Sequence, residues 1–321
     1  MKSIDKLHKI IEESLSIINY PKNPSNLYLP ISYSFNLGGK RVRPILVLLA
    51  NQIYGKNFKH ALNAAIAIEI FHNFTLLHDD IMDNSVLRRG SPTVHEKWNI
   101  NTAILSGDTM LVYAYNYLNL LPKDIINDVL NIFNKTAIQV CEGQQLDLDF
   151  ETKKNVSVND YLKMIEYKTS VLLAASLKIG ALIGGANKKD AENLYDFGIN
   201  LGIAFQLKDD FLDVFGTKEI FGKKIGGDIL SNKKTFLFLK SLELLNIKEK
   251  NMLLDLYSNN KIDENEKINQ VKNIYELSGV KEILDNLIKE YYKFSMHNLS
   301  QINEDVGPIQ NFVSILEKRN N

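Results

Sequence analysis

Two stretches of this chain place three aspartates within five positions: LLHDDIMD, with Asp79, Asp80 and Asp83, and QLKDDFLD, with Asp209, Asp210 and Asp213. At about 100° per helical residue, Asp79 and Asp83 share a face, Asp80 flanks them, and His72 returns to the same face two turns earlier. Asp209 and Asp213 repeat the arrangement, with Gln206 about one turn before Asp209. Two carboxylates about 4 Å apart repel by roughly 4 kcal/mol at an effective dielectric of about 20, and burial raises that cost. A cation therefore belongs at each cluster. All-oxygen donor sets without paired Cys or His suit hard divalent ions, and Mg²⁺ binds through one or two carboxylates plus substrate phosphates. A diphosphate bridged by metals held on both clusters is the natural inference. The bland alternative is a solvated helix end, the usual fate of a single acidic run. Against it, both clusters interrupt apolar segments, FHNFTLLHDDIM and LGIAFQLKDDFLDVF, and so are presented from core-packed helices.

Cations recur beside these acids. GGKRVRP sets Lys40, Arg41 and Arg43 at a helix entry after a Gly-Gly turn, and helix amino termini and basic side chains both favour phosphate. Arg41 on its own reads as an ordinary charged loop residue. Arg88 and Arg89 follow Asp83 closely enough for a short turn to return them to the first acid cluster, and Lys168 with Thr169, Lys223 and Lys233 supply further contacts. Acids that hold a metal, and separate cations that need none, point to two anionic ligands.

The elements that must position these residues read as helices. None of the seven prolines falls between Lys123 and Gly307, so long helices are permitted there. Leu162, Ile165, Thr169, Leu172, Leu173, Ser176 and Ile179 make one helical face, and Ile283, Leu284, Leu287, Ile288, Tyr291 and Tyr292 another. A helix is expected from Pro44 through ILVLLANQI and another from about Ala61 to Asp83. Loops are expected at Pro21–Gly39, Asn84–Pro92, Gly184–Lys188 and Gly216–Lys234. Sustained period-two alternation and Pro/Ser-rich linkers are absent, so the expectation is one all-α domain spanning 1–321, a single large helical bundle.

With 321 residues and 45% hydrophobic content, the chain can close a large core. Its 38 basic and 38 acidic residues cancel, which gives no reason to expect nucleic acid or an anionic membrane as partner. Cys141 is the only cysteine, which excludes an intrachain disulfide or a cysteine-rich zinc site and suits a reducing compartment. The amino-terminal MKSIDKLHKIIEESL lacks the apolar region of a signal peptide, and stretches such as Ile45–Ala50 are too short to span a bilayer. A cytoplasmic protein without a membrane span is expected.

Taken together, GGKRVRP, LLHDDIMDNSVLRRGSPTVH, EYKTS, AFQLKDDFLD and GKKIGGDI, in this order and spacing, resemble the trans-isoprenyl diphosphate synthases (polyprenyl synthetases) of the short-chain farnesyl and geranylgeranyl type. The resemblance implies a bundle around a central active-site cavity, a homodimer, and a transferase joining isopentenyl diphosphate head-to-tail to dimethylallyl, geranyl or farnesyl diphosphate by ionisation, condensation and elimination. It implies three Mg²⁺ per active site with substrate bound, with Mn²⁺ as a substitute. Carried over by motif, Asp79, Asp80, Asp83, Asp209, Asp210 and Asp213 hold metal. Arg88, Lys168, Thr169, Gln206, Lys223 and Lys233 contact the allylic diphosphate, with Arg88 and Lys168 counted in the catalytic set, and Lys40, Arg43, His72 and Arg89 bind isopentenyl diphosphate. Gln144 and Asp147 look like an inward polar pair near the metals or a helix-packing pair, Asp228 a support for Lys223 or the second cluster, and His95 and Trp98 structural residues. Where many members have Lys-Ser-Thr or Lys-Thr-Thr, this chain has NKKTF, leaving Lys233 or Lys234 as the contact; a closing role for Lys318 and Arg319 is likewise open.

The growing product should run back along the helix from Asp79, so Phe74, Thr75 and Phe71 are the expected floor, with Phe74 about 7.5 Å below Asp79. An aromatic residue five positions before the first acid motif resembles the geranylgeranyl rather than the farnesyl enzymes. A class I terpene cyclase would leave Lys40, Arg43 and Arg89 idle. An inactive regulatory subunit commonly loses acids from such motifs, and both motifs here are complete.

Overall fold

The computed structural model describes residues 2–55, 57–216, 225–259 and 261–318. Its elements are α1 (Ile4–Ser16), α2 (Ser25–Asn36), α3 (Val42–Tyr54), α4 (Phe58–Met82), the hairpin strands β1 (Leu87–Arg88) and β2 (Ser91–Pro92), α5 (Val94–Lys97), α6 (Ile100–Leu118), α7 (Ile126–Thr152), α8 (Val158–Ile165), α9 (Val171–Gly184), α10 (Lys188–Phe215), α11 (Gly227–Leu230), α12 (Phe236–Leu244), α13 (Ile247–Ser258), α14 (Glu264–Ser278), α15 (Val280–Ser300) and α16 (Gly307–Lys318). The protein is all-α, as the helical periodicity predicts, and the hairpin is the sole sheet among the described residues.

Contacts divide the chain into two compact units, one of Met1–Asn134, Ala175–Leu194 and Glu304–Ile309, the other of Lys135–Ala174, Tyr195–Asn303 and Gln310–Asn321. In the first unit, α1 opens with Ser3 accepting from the Lys6 amide and buries Leu7, Ile11 and Leu15, a stripe with one residue every fourth position. Helices α3 and α4 are buried nearly all round: Ile45–Asn51 and Ala64–Phe71 are all closed off from solvent. A helix apolar on every side is a core helix, and α4 carries the first acid motif at the end of such a rod. Gly180 of α9 lies so close to the Val47 carbonyl that any β-carbon would collide with it.

The second unit is organised around Tyr161, Ile165, Leu207, Phe236, Leu237, Tyr275 and Leu284, with the Tyr257 and Tyr275 hydroxyls 2.7 Å apart inside it. Between α8 and α9 the chain makes a π-helical turn, Glu166–Ser170, so that Val158–Gly184 runs on as one helix. This helix is long and apolar enough to cross a bilayer by length and composition, but 72% of its most apolar window is buried within the protein, as in a core helix.

Four local expectations change: Gly216–Lys234, read as a loop, contains the short helix α11, and its residues 217–224 lie outside those described. Pro21–Gly39 is not a loop: α2 fills most of it, with Pro30 inside the helix, because burial of Pro30, Ile31 and Phe35 outweighs the backbone donor that proline lacks. Asn84–Pro92 contains a two-residue hairpin, with Arg89 (φ 54°) and Gly90 (φ 77°) both left-handed at its tip, the backbone that a tight right-twisted hairpin requires. Helix α3 begins at Val42, two residues ahead of Pro44, after Arg41 in the left-handed region (φ 47°).

Candidate active site

The first acid motif ends α4, with Asp79 and Asp80 in its last turn and Asp83 as the C-cap residue. The hairpin then folds Arg88 back onto it. Arg88 donates to one Asp80 oxygen from Nε at 2.9 Å and Nη2 at 2.5 Å, and its Nη2 lies 3.6 Å from Asp79. Burial pushes the Asp80 carboxyl above its ordinary range against the pull of Arg88, while the bonded Asp80 outweighs burial and raises Arg88. The hairpin is pinned by the Thr93 hydroxyl donating to the Ser85 carbonyl and the Tyr33 hydroxyl donating to the Pro92 carbonyl, both at 2.8 Å.

In the same unit lies a nest of cations. Arg43 donates from Nη1 to His72 Nε2 at 3.0 Å, which makes His72 an acceptor on that nitrogen and therefore neutral. Burial first, then Arg43 and Arg89, hold the His72 pKa well below the usual histidine value. Burial also lowers Arg43 to about 10, and its Nε is closed off from solvent without a hydrogen-bond partner. The Arg89 guanidinium lies over Gly39, where a β-carbon would sit 2.9 Å from it, so glycine is the residue that leaves this space. Arg41 is different: fully buried, it bonds Glu12 at 2.7 Å, Glu69 at 2.6 Å and the Phe35 carbonyl at 2.9 Å. It ties the GGKRVR segment to α1 and α4 and is no ordinary loop charge. Glu69 is bonded to Arg41 and Asn73 and reaches Arg43 and Arg89 through its charge alone. Lys40, which follows Gly39 in sequence, is exposed.

The second unit holds a cavity of about 120 Å³ lined by Asp147, Tyr161, Lys168, Thr169, Gln206, Asp210 and Lys233. Lys168 and Thr169 sit on the π turn, a local widening of the helix that often marks functional positions. Two glycines grip that turn: a β-carbon at Gly143 of α7 would strike the Lys168 backbone, and one at Gly202 of α10 would lie 2.6 Å from Ser170. Lys168 bonds Asp147 at 2.7 Å and Lys233 lies 3.6 Å from the same carboxylate. Burial would raise Asp147, but the two ammonium groups outweigh it and keep it ionised. Thr169 donates to Gln206 Oε1 at 3.3 Å, Gln206 donates to one Asp210 oxygen at 3.2 Å, and the buried Tyr161 hydroxyl donates to the other. Burial and then Asp228 push Asp210 well up. Asp213 accepts from the Gly227 and Asp228 amides, both at 3.1 Å, at the start of α11, and burial followed by Asp228 raises it to about 7.

The donors at both motifs are carboxylate oxygens, the chemistry of a hard divalent ion. Among the described residues no three His, Cys, Asp or Glu side chains converge as a ready-made cage. Mg²⁺ takes few protein ligands and completes its shell with water and phosphate, so carboxylates such as these would suit it as donors.

The model of the polyprenyl synthetase family matches residues 24–277. The chain belongs to the polyprenyl synthetase family. It is 41% identical over 272 residues, covering 83% of this chain and 82% of the relative, to the geranylgeranyl diphosphate synthase of Methanosarcina mazei. A solved geranylgeranyl pyrophosphate synthase superposes with a TM-score of 0.92 at 45% identity, covering 98% of this chain and 97% of that one. The Pyrococcus horikoshii geranylgeranyl pyrophosphate synthetase superposes with a TM-score of 0.91 at 33% identity, covering 98% and 95%. The protein is thus a prenyltransferase.

Within this family member, the structure brings Asp79, Asp80 and Arg88 together, gathers Arg43, His72 and Arg89, and gathers Asp147, Lys168, Thr169, Gln206, Asp210 and Lys233. The two candidate lysines separate. Lys234 donates to the Phe150 and Lys153 carbonyls, both at 2.6 Å, at the end of α7, which leaves Lys233 as the lysine beside Asp147. The Thr75 hydroxyl turns back to the His72 carbonyl at 2.8 Å, and Phe71 is core. Trp98 packs edge-on to Tyr33. Lys223 and Arg319 lie outside the described residues. Sequence reasoning missed Tyr161, whose signal was its place one turn and a half before the π turn, and it missed Gly143 and Gly202, whose role exists only through tertiary contact.

Proposed function

We infer that this protein condenses isopentenyl diphosphate with an allylic diphosphate in a Mg²⁺-dependent reaction and releases geranylgeranyl diphosphate, acting as a homodimer in the cytoplasm. The observation that carries the reading is the cation nest of Arg43, His72 and Arg89: among the described residues Arg43 bonds His72 and no carboxylate, and the nearest acid, Glu69, is bonded to Arg41, so the nest can take a diphosphate without metal. The acid motifs serve the other substrate. Asp79 and Asp83 of the first, and Asp209 of the second, are the metal holders, while Lys168, Thr169, Gln206 and Lys233 contact the allylic diphosphate and Arg88 keeps the first motif in place. When bound, Mg²⁺ supplies the electrophilic pull on the departing diphosphate. Neutral His72 fixes Arg43 toward the isopentenyl diphosphate, whose double bond then attacks the allylic carbon, and proton loss closes the reaction.

The geranylgeranyl product is supported by the names of the relatives and by the aromatic ring of Phe74 below Asp79. The dimer is supported by Ile104, Leu105 and Val112, apolar and exposed along α6, and a reducing compartment by the single, unpaired Cys141. Incubation with labelled isopentenyl diphosphate, an allylic starter and Mg²⁺ should give a labelled linear diphosphate of geranylgeranyl length. A cyclic hydrocarbon without label would overturn the reading.

A further inference from the structure

We propose that His78 and Gly107 set product length, by bracing the Phe74 ring from α6. The inference rests on the reading above that Phe74 is the floor for the growing chain. A ring stops a chain only if it cannot swing aside. Phe74 is half-buried and has two aromatic neighbours on its own helix: Phe71, with centroids 5.6 Å apart, and His78, one turn on, at 4.8 Å with the rings inclined at 66°. Phe71 is fixed by the core, packed edge-on to Phe133 at 5.1 Å, which in turn packs on Tyr115 at 5.3 Å. On the His78 side of Phe74 no further aromatic ring stacks among the described residues, so its position depends on what holds the imidazole.

Two features of α6 hold it. His78 Nε2 donates to the Ile104 carbonyl at 3.2 Å, which fixes the ring plane and the tautomer. Gly107, one turn further along, lies directly against the imidazole, and a β-carbon there would overlap Nε2 and Cδ2. The missing side chain is thus the slot in which His78 sits. Asp108 is 3.9 Å from Nε2 and adds a weaker contact on the exposed side. His78 and Gly107 are positioning residues: neither needs to touch the substrate, and both act through the rotamer of Phe74.

The test is the product distribution, separated by reversed-phase chromatography after dephosphorylation, for Phe74→Ala, His78→Ala, Gly107→Ala and the double variant Phe74→Ala/His78→Ala. Phe74→Ala should lengthen the product. His78→Ala should raise the fraction one isoprene unit longer by roughly two- to tenfold, the range that loss of one aromatic contact supports, with the KM for the allylic starter unchanged. The double variant should match Phe74→Ala, because without the ring there is nothing to brace. Gly107→Ala should act like His78→Ala, and where it fails to fold, His78→Ala, with folding checked by circular dichroism, carries the test. Lengthening in Phe74→Ala with an unchanged distribution in His78→Ala overturns the brace and leaves the floor standing. An unchanged distribution in Phe74→Ala overturns the floor, and the brace with it.

Discussion

The two acid motifs share one spelling, DDxxD, and hold their middle carboxylates by opposite means. Asp80 is gripped through one oxygen by the guanidinium of Arg88, a full positive charge. Asp210 is held at both oxygens by neutral donors, Tyr161 and Gln206. The third acids differ as well: Asp83 is an exposed helix cap, whereas Asp213 is buried and accepts two backbone amides. One pair is therefore close to electrically neutral, while burial and Asp228 press the other toward its uncharged form, so that a bound cation would favour its ionisation. On the proposed function, the first motif offers Asp79 and Asp83 to the metal, and the second offers Asp209, while its companions organise the cavity.

The largest effect that could break this contrast is expected from Arg88→Met. It leaves Asp80 buried with no cation, and such breakage costs about 3–5 kcal/mol when fully buried, so about 2–3 kcal/mol is expected for this partly exposed arginine. Urea denaturation reads it, and an unchanged midpoint would mean that Asp80 does not depend on Arg88. A smaller loss, about 1–2 kcal/mol, is expected from Tyr161→Phe, which removes one hydroxyl and strands one carboxylate oxygen. The same variant should need more Mg²⁺ for half-maximal activity, because Asp210 is no longer oriented; a stability loss with an unchanged Mg²⁺ requirement would assign Tyr161 to packing alone.

How far the sequence led differs between the two regions for physical reasons. The acid motifs, the returning arginines and the Gly-Gly-Lys-Arg entry are local patterns, and local patterns survive without tertiary knowledge. The hairpin tip at Arg89 and Gly90 follows from the same short stretch, although its strand pairing had to be seen. The π turn under Lys168 depends on which carbonyl each amide chooses, and that choice is set by the close approaches of Gly143 and Gly202 from distant helices. Arg41 was misread because its partners, Glu12 and Glu69, lie 29 and 28 residues away in sequence, and only the packing of α1 and α4 brings them to it. Pro30 inside α2 is a case where burial overrides local preference.

The smallest of these effects concerns pH and separates the cation nest from the acids. His72 is held neutral, with a folded pKa well below the unfolded value of about 6.5. The unfolded chain then binds a proton that the native protein refuses, so stability is full above that value and falls as pH drops through it, by at most about 1.4 kcal/mol per pH unit. The difference between wild type and His72→Gln, measured by thermal melts across pH, should carry that slope, and parallel curves would contradict a neutral buried histidine.

The division between a metal-held and a metal-free diphosphate is tested most directly by calorimetric binding of isopentenyl diphosphate and of a non-reactive allylic diphosphate analogue, each with Mg²⁺ and with chelator. The expected result is that isopentenyl diphosphate binds equally in both conditions, while the allylic analogue loses its affinity when Mg²⁺ is removed. Equal metal dependence of both ligands would contradict the account.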